Sequence, residues 1–201
     1  LENFLFDIEF KTIQPNDKPF NDKDDFYGTC WSTVKNSYAL WTIYSGSERG
    51  IMISTTSEKI NACFGDEDNL FIGPVEYLSE EELGILLQHE ANSLAHKICV
   101  PGPHIGKIEA LMIKRKAYLY EQEVRMVKYA KNINQKGLYT INGFNPHELI
   151  SKLTLDPRMS EVECKTFINI LKKYDFCNTG GKGGQRKVER CQLLQKKKII
   201  I

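Results

Sequence analysis

The sequence predicts an α+β fold, with mostly antiparallel strands in small sheets and two or three helices packed on them. Three observations carry this. Short runs rich in β-branched and aromatic residues follow one another, at Phe26 to Trp31, Gly50 to Thr56 and Phe71 to Tyr77. A capped amphipathic helix then begins at Ser79. A strand, turn and second capped helix fill Leu153 to Tyr174.

Taken in order, residues 14–25 hold Pro15, Pro19 and several Asn and Asp, and read as a loop. Phe26 to Trp31 reads as a short buried strand. Asn36 or Ser37 caps a short helix whose Tyr38, Trp41 and Tyr44 recur at i, i+3 and i+6, a stripe expected to face the core, with Gly46 as the stop. Gly50 to Thr56 and Phe71 to Tyr77 are the next strands. Ser79 and Glu82 make a capping box, and Leu83, Leu86, Leu87, Leu94 and Ile98 give helical spacing up to Pro101. Gly106 to about Lys116 is a further helix that delivers the chain into a strand at Tyr120. Leu153 to Leu155 is a strand, Asp156-Pro157 a turn, and Ser160 with Glu163 a second capping box opening a helix with Phe167, Ile168, Ile170 and Leu171 on its apolar side. The expected organisation is a loop-rich segment over residues 1–25, an α+β domain over 26–177, and a Gly-rich linker with a basic segment over 178–201 that closes the domain.

Hydrophobic residues make up 41% of the 201 and charged residues 26%, so the chain can bury a core and is not of the disordered class. No apolar run approaches the roughly 20 residues of a membrane helix, and no basic-then-apolar leader opens the chain, so the expected location is the cytoplasm. Leu1 in place of an initiator Met points to a longer product or to processing. The six cysteines, Cys30, Cys63, Cys99, Cys164, Cys177 and Cys191, form no C-x-x-C pair and have no His at zinc spacing. Reduced, mostly buried thiols and no metal are expected. His89-Glu90 begins like a zinc-protease motif, but position 93 is Ser. Thr179 to Gly184 resembles a phosphate loop by composition alone, because Gly183 follows the lysine where Ser or Thr is needed.

Net charge is +1, yet it is unevenly spread: residues 1–26 carry seven acids against three lysines, and residues 182–198 carry seven bases against one acid. The basic end suits nucleotide or nucleic-acid phosphates, or an acidic protein partner, although a charge run of this kind is more often a solvated tail.

The stretch of most chemical interest is Tyr120-Glu121-Gln122-Glu123-Val124-Arg125. In a strand, Glu121, Glu123 and Arg125 line one face. With Lys114-Arg115-Lys116 upstream, a paired carboxylate beside cations can hold a proton, orient a hydroxyl or clamp a guanidinium. The same row also describes a solvated edge strand with weak ion pairs.

Several ordered segments resemble an uncharacterised bacterial and phage family, the domain of unknown function numbered twenty-nine seventy-one. They are Cys30-Trp31-Ser32, Trp41 to Ser45, Arg49 to Ile53, Lys114-Arg115-Lys116 leading into Glu121-Gln122-Glu123-Val124-Arg125, Leu153 to Tyr174, and Val188 to Leu194. The family's aromatic and basic first strand, with its Asn-Asp-Pro turn, has no counterpart here. The resemblance names no reaction.

Ser54-Thr55-Thr56 and Glu121-x-Glu123 are also similar to the Ser-Thr-Ser and E-x-E elements of the ADP-ribosyltransferase superfamily. That similarity implies an NAD-using transferase or NAD glycohydrolase, in a phage-defence or toxin setting. Glu123 would stabilise the cationic ribose, Glu121 would orient the acceptor, Ser54 or Thr55 would support the glutamate, and Tyr44, Trp41 and Arg49 would contact the dinucleotide. The superfamily's early Arg or His is missing, since residues 1–48 contain neither. The alternative is a non-catalytic module that binds a nucleotide, nucleic acid or protein, in which Glu121, Glu123 and Arg125 form a structural network. A weaker one is a metal-dependent hydrolase or nuclease, for which spacing identifies no third ligand.

Overall fold

The structure is a computed structural model and describes residues 25–88, 104–131, 138–141, 144–176 and 187–194. The chain forms an α+β fold of two compact units that interleave in sequence, the chain passing between them at 35/36, 66/67 and 140/141. None of these positions is a boundary expected from composition. The expected loop at 14–25 up to residue 24, the glycines of 179–184, His89, His96, Cys99 and Cys177 lie outside the described residues.

In the first unit, β6 (Glu123–Tyr129) is the central strand, with β1 (Phe26–Ser32) and β3 (Leu70–Pro74) antiparallel on its two sides. Cys30 and Gly73 flank Arg125 in register. A thiol and a bare Cα leave room for a guanidinium to lie over the sheet. β1 is an edge strand whose Gly28, Thr29 and Cys30 are exposed, which corrects the expectation of a buried strand. The single strand expected over 71–77 is two: after Pro74 the chain leaves β6, and β4 (Glu76–Leu78) pairs in parallel with β5 (Ile113–Arg115). Proline cannot donate to a ladder, and the change of partner falls just past it.

The capping box that opens α3 (Glu80–Gln88) forms as expected, with Ser79 N donating to Glu82 Oε2 at 2.7 Å and Glu82 N to Ser79 Oγ at 3.2 Å. α4 (Ile105–Leu111) is shorter than the helix expected up to Lys116, because Ile113 to Arg115 are drawn into β5. Lys116–Glu121 is then a 3-10 helix, and Gln122 is left-handed with φ 42°. The strand expected from Tyr120 therefore begins at Glu123. Val75, Leu83, Ile108, Ala110, Ile113, Met126 and Val127 are buried in this unit.

The second unit is built on β7 (Lys152–Leu155), with β2 (Ile51–Ser54) antiparallel on one side and β8 (Lys187–Arg190) parallel on the other. α6 (Glu161–Lys173) opens on the expected capping box of Ser160 and Glu163. Its Cys164 packs with the fully buried Leu155 and Met159, and Phe167, Ile168 and Leu171 pack around them with Ile51 and Val188. Ile170, expected among these, is 44% exposed.

α1 (Tyr38–Tyr44) takes Ser37 as its cap, but of the aromatic stripe Trp41 is buried while Tyr38 and Tyr44 are exposed. At 100° per residue, i and i+6 stand 120° apart, so three such positions span too wide an arc for one seam. α2 (Ser57–Phe64), capped by Thr56, and the single turn α5 (Pro146–Leu149), capped by Asn145, have no counterpart in the sequence reading. Phe64 stacks on Phe144 with centroids 5.3 Å apart.

Candidate functional site

Glu121, Glu123 and Arg125 come together in the first unit, and Lys114 joins them. β5 brings Lys114 beside Tyr77 of β4, and its ammonium lies 2.7 Å from Glu121 Oε2 and 3.3 Å from Glu123 Oε2. Arg125 Nε donates to Glu123 Oε1 at 2.5 Å and Nη2 to Glu123 Oε2 at 3.2 Å, while Nη1 donates to the Leu111 carbonyl. All four side chains are buried, Arg125 to 1% exposure. Two cations and two anions are taken out of water together, which is tolerable only because each charge finds opposite charge at hydrogen-bond distance.

Burial opposes ionisation of Glu123, but the Arg125 guanidinium, the Cys30 thiol and Lys114 outweigh it and hold its carboxyl below the usual range. Burial likewise opposes the charge on Lys114, and Glu121 and then Glu123 outweigh it, raising the lysine. Lys114 and Glu123 therefore face each other as ions at neutral pH. Cys30 is exposed at the strand surface while its thiol hydrogen-bonds Glu123; burial first, then that bond and the charge behind it, push the thiol up to about 11. A thiol so placed is a weak nucleophile.

The backbone around the two glutamates is also fixed. Tyr77 Oη accepts from Glu123 N at 2.8 Å. Ser32 Oγ donates to the Glu121 carbonyl at 2.5 Å, and Thr33 N donates to the Gln122 carbonyl at 3.1 Å. The carboxylates thus meet on one ammonium through a 3-10 end and a left-handed residue, not through strand alternation. Of the basic cluster, Lys114 enters the quartet, Arg115 pairs with Glu80 at 3.2 Å, and Lys116 is exposed. Tyr77, Cys30 and Ser32 went unrecognised as parts of this arrangement, since their partners lie far along the chain.

The other candidate residues belong to the second unit. Trp41 is buried, with its carbonyl accepting from Arg158 Nη2 at 2.9 Å. Tyr44 is 69% exposed at the end of α1. Arg49 Nε pairs with Glu163 Oε1 at 2.8 Å. Ser54 ends β2 in register with Lys152, and Thr55 Oγ1 donates to the Leu149 carbonyl at 2.7 Å.

A second buried ion pair stands in this unit. The carboxylate of Asp156, fully buried, accepts from Arg158 Nε at 2.9 Å and Nη2 at 2.7 Å, and the same Nη2 donates to the Ser45 carbonyl at 2.7 Å. Arg158 thereby adds a second donor to the Trp41 and Ser45 carbonyls at the end of α1, which already accept from Ser45 N and Glu48 N. Among the described residues no group of His, Cys, Asp and Glu is placed to hold a metal ion, and no helix is long and apolar enough to cross a membrane.

No family model, no curated protein and no solved structure matches the chain.

Proposed function

We propose that the chain is a non-catalytic module that binds a phosphate-bearing ligand, nucleic acid in the first instance, through its basic C-terminal segment, and that the Lys114, Glu121, Glu123 and Arg125 quartet fixes the fold of its first unit. One observation carries the non-catalytic part. Both carboxylate oxygens of Glu123 are occupied, Oε1 by Arg125 and Oε2 by Arg125 and Lys114, and the residue is 4% exposed. A glutamate that stabilises a ribose cation needs an oxygen turned to its substrate. In this arrangement neither oxygen of Glu123 is left for a ribose, which is what supports the non-catalytic reading over NAD chemistry. Support for the ligand class comes from the seven bases within residues 182–198.

An NAD-using, ADP-ribosyltransferase-like protein of the resembled phage and bacterial family is the second proposal. It is favoured by the convergence of Glu121 and Glu123 on a single ammonium, the paired carboxylates that the E-x-E resemblance implies.

Nicotinamide release from NAD by wild type and by Glu123→Gln, with nucleic acid and cell extract offered as acceptors, separates the two. The quartet as scaffold gives no release from either protein and a variant less stable in thermal denaturation. Release by wild type alone, with the variant equally stable, overturns the non-catalytic proposal and puts Glu123 at the centre of a transferase.

A further inference from the structure

Gln122 has a positive φ of 42° and sits between two buried carboxylates. Left-handed backbone is strained for a residue with a side chain, and it persists only where the surroundings impose it. The surroundings here are two adjacent residues at the end of β1. Ser32 Oγ donates to the Glu121 carbonyl, and Thr33 donates to the Gln122 carbonyl through both its N–H, at 3.1 Å, and its hydroxyl, at 3.3 Å. The Thr33 hydroxyl also lies 3.1 Å from Gln122 Oε1. Thr33 and Gln122 are both exposed. The segment before Gln122 is a single 3-10 helix with Leu119 49% and Tyr120 46% exposed, a conformation with poorer hydrogen-bond geometry than an α-helix.

We infer that Lys116–Gln122 is a latch, with Gln122 as its hinge and Ser32 and Thr33 as its catch, and that Glu121 stays on Lys114 only while the catch is closed. Rotation of Gln122 out of the left-handed region turns the Glu121 peptide, which carries the carboxylate away with it. Glu123 is held separately, by Arg125 from its own strand and by Tyr77 on its N–H. Opening the latch therefore reduces the quartet to Lys114, Glu123 and Arg125 and leaves β6 in place. The latch goes beyond the proposed function and holds whether or not the quartet turns over a substrate.

Amide hydrogen exchange followed by NMR, on wild type, Thr33→Val, Thr33→Ser and Gln122→Gly, tests this. Thr33→Val keeps the shape and removes the hydroxyl; exchange at the amides of residues 33 and 122 rises roughly three- to tenfold, the loss of a hydrogen bond of ordinary net strength, while Met126 and Val127 are unchanged. Thr33→Ser restores wild-type exchange, and Gln122→Gly slows it, because glycine takes the left-handed conformation without strain. An increase shared equally by Met126 and Val127, Thr33→Ser exchanging as fast as Thr33→Val, or no change in any variant overturns the latch.

Discussion

Arg125 and Glu123 stand two residues apart on the same face of β6, and Arg125 Nε lies 2.5 Å from Glu123 Oε1. Partners on one strand keep their spacing whatever the rest of the unit does, so this pair is the rigid half of the quartet. Removing one member strands the other. Arg125→Met is expected to cost about 3–5 kcal/mol, the range for a buried charge left without its partner, and Glu123→Gln about 1–3 kcal/mol, since the amide keeps one acceptor. Urea denaturation gives both values. Equal and small losses would mean that the charges are solvated.

Acid acts on the same groups. Glu123 has its carboxyl held below the usual range, and Glu163 is brought down to about 2 by the Ser160 backbone, Arg49 and the Ser160 hydroxyl. A carboxyl whose pKa is lower folded than unfolded contributes stability above its unfolded value and loses it as pH falls through the folded one. Stability should fall from about pH 4.5 down to about pH 2, and Glu163→Gln should flatten part of that slope. Denaturation midpoints measured across this window check it.

Gly50 is fixed by sterics. A Cβ there would stand 2.4 Å from Ser45 Oγ and 2.6 Å from Ser45 Cβ, and Ser45 is itself buried, with its carbonyl accepting from Arg158 Nη2. Gly50→Ala should cost about 1–3 kcal/mol, the usual range for overpacking, and a double substitution with Ser45→Gly should recover most of it. Thermal denaturation of the two variants provides the comparison.

Replacing Lys196, Lys197 and Lys198 by glutamine should weaken nucleic-acid binding evenly across sequences. It should lower the slope of log affinity against log salt by about one for each phosphate that is no longer neutralised. Fluorescence anisotropy at several salt concentrations reads both. Binding unaffected by the replacement would remove the basic segment from the proposal.

What the sequence disclosed and what it concealed divide along a physical line. Many features closed within a few residues were readable: a cap at Asn36 or Ser37, both capping boxes, the turn at Asp156, and the β7 segment, though the equally local Thr56 and Asn145 caps were passed over. Features set by distant partners were not readable. The expected strand at Tyr120 gave way to a 3-10 helix because Ser32 and Thr33 supply donors from far along the chain. Glu121, Glu123 and Arg125 come together, Glu123 and Arg125 by the strand alternation expected and Glu121 by a 3-10 end that was not, and the α1 stripe held only at Trp41 because its spacing was read without the drift of the helix. Tyr77 carries no local signature, and the contacts of Arg158 with Trp41 and Ser45 are likewise brought to it by folding, although its pairing with Asp156 is local.

The interleaving of the two units governs how the chain can come to be folded. β1 finds its register only against β6, with Phe26 opposite Tyr129, and β7 gains its parallel neighbour only once Val188 is available opposite Leu153. During synthesis neither sheet can be finished while the ribosome is still adding the middle of the chain. Such non-local pairing makes for slow closure and a long interval in which strand edges are open. A single cut at any of the three crossings leaves at least one unit in two pieces, so no one break in the chain can part the fold into two intact halves.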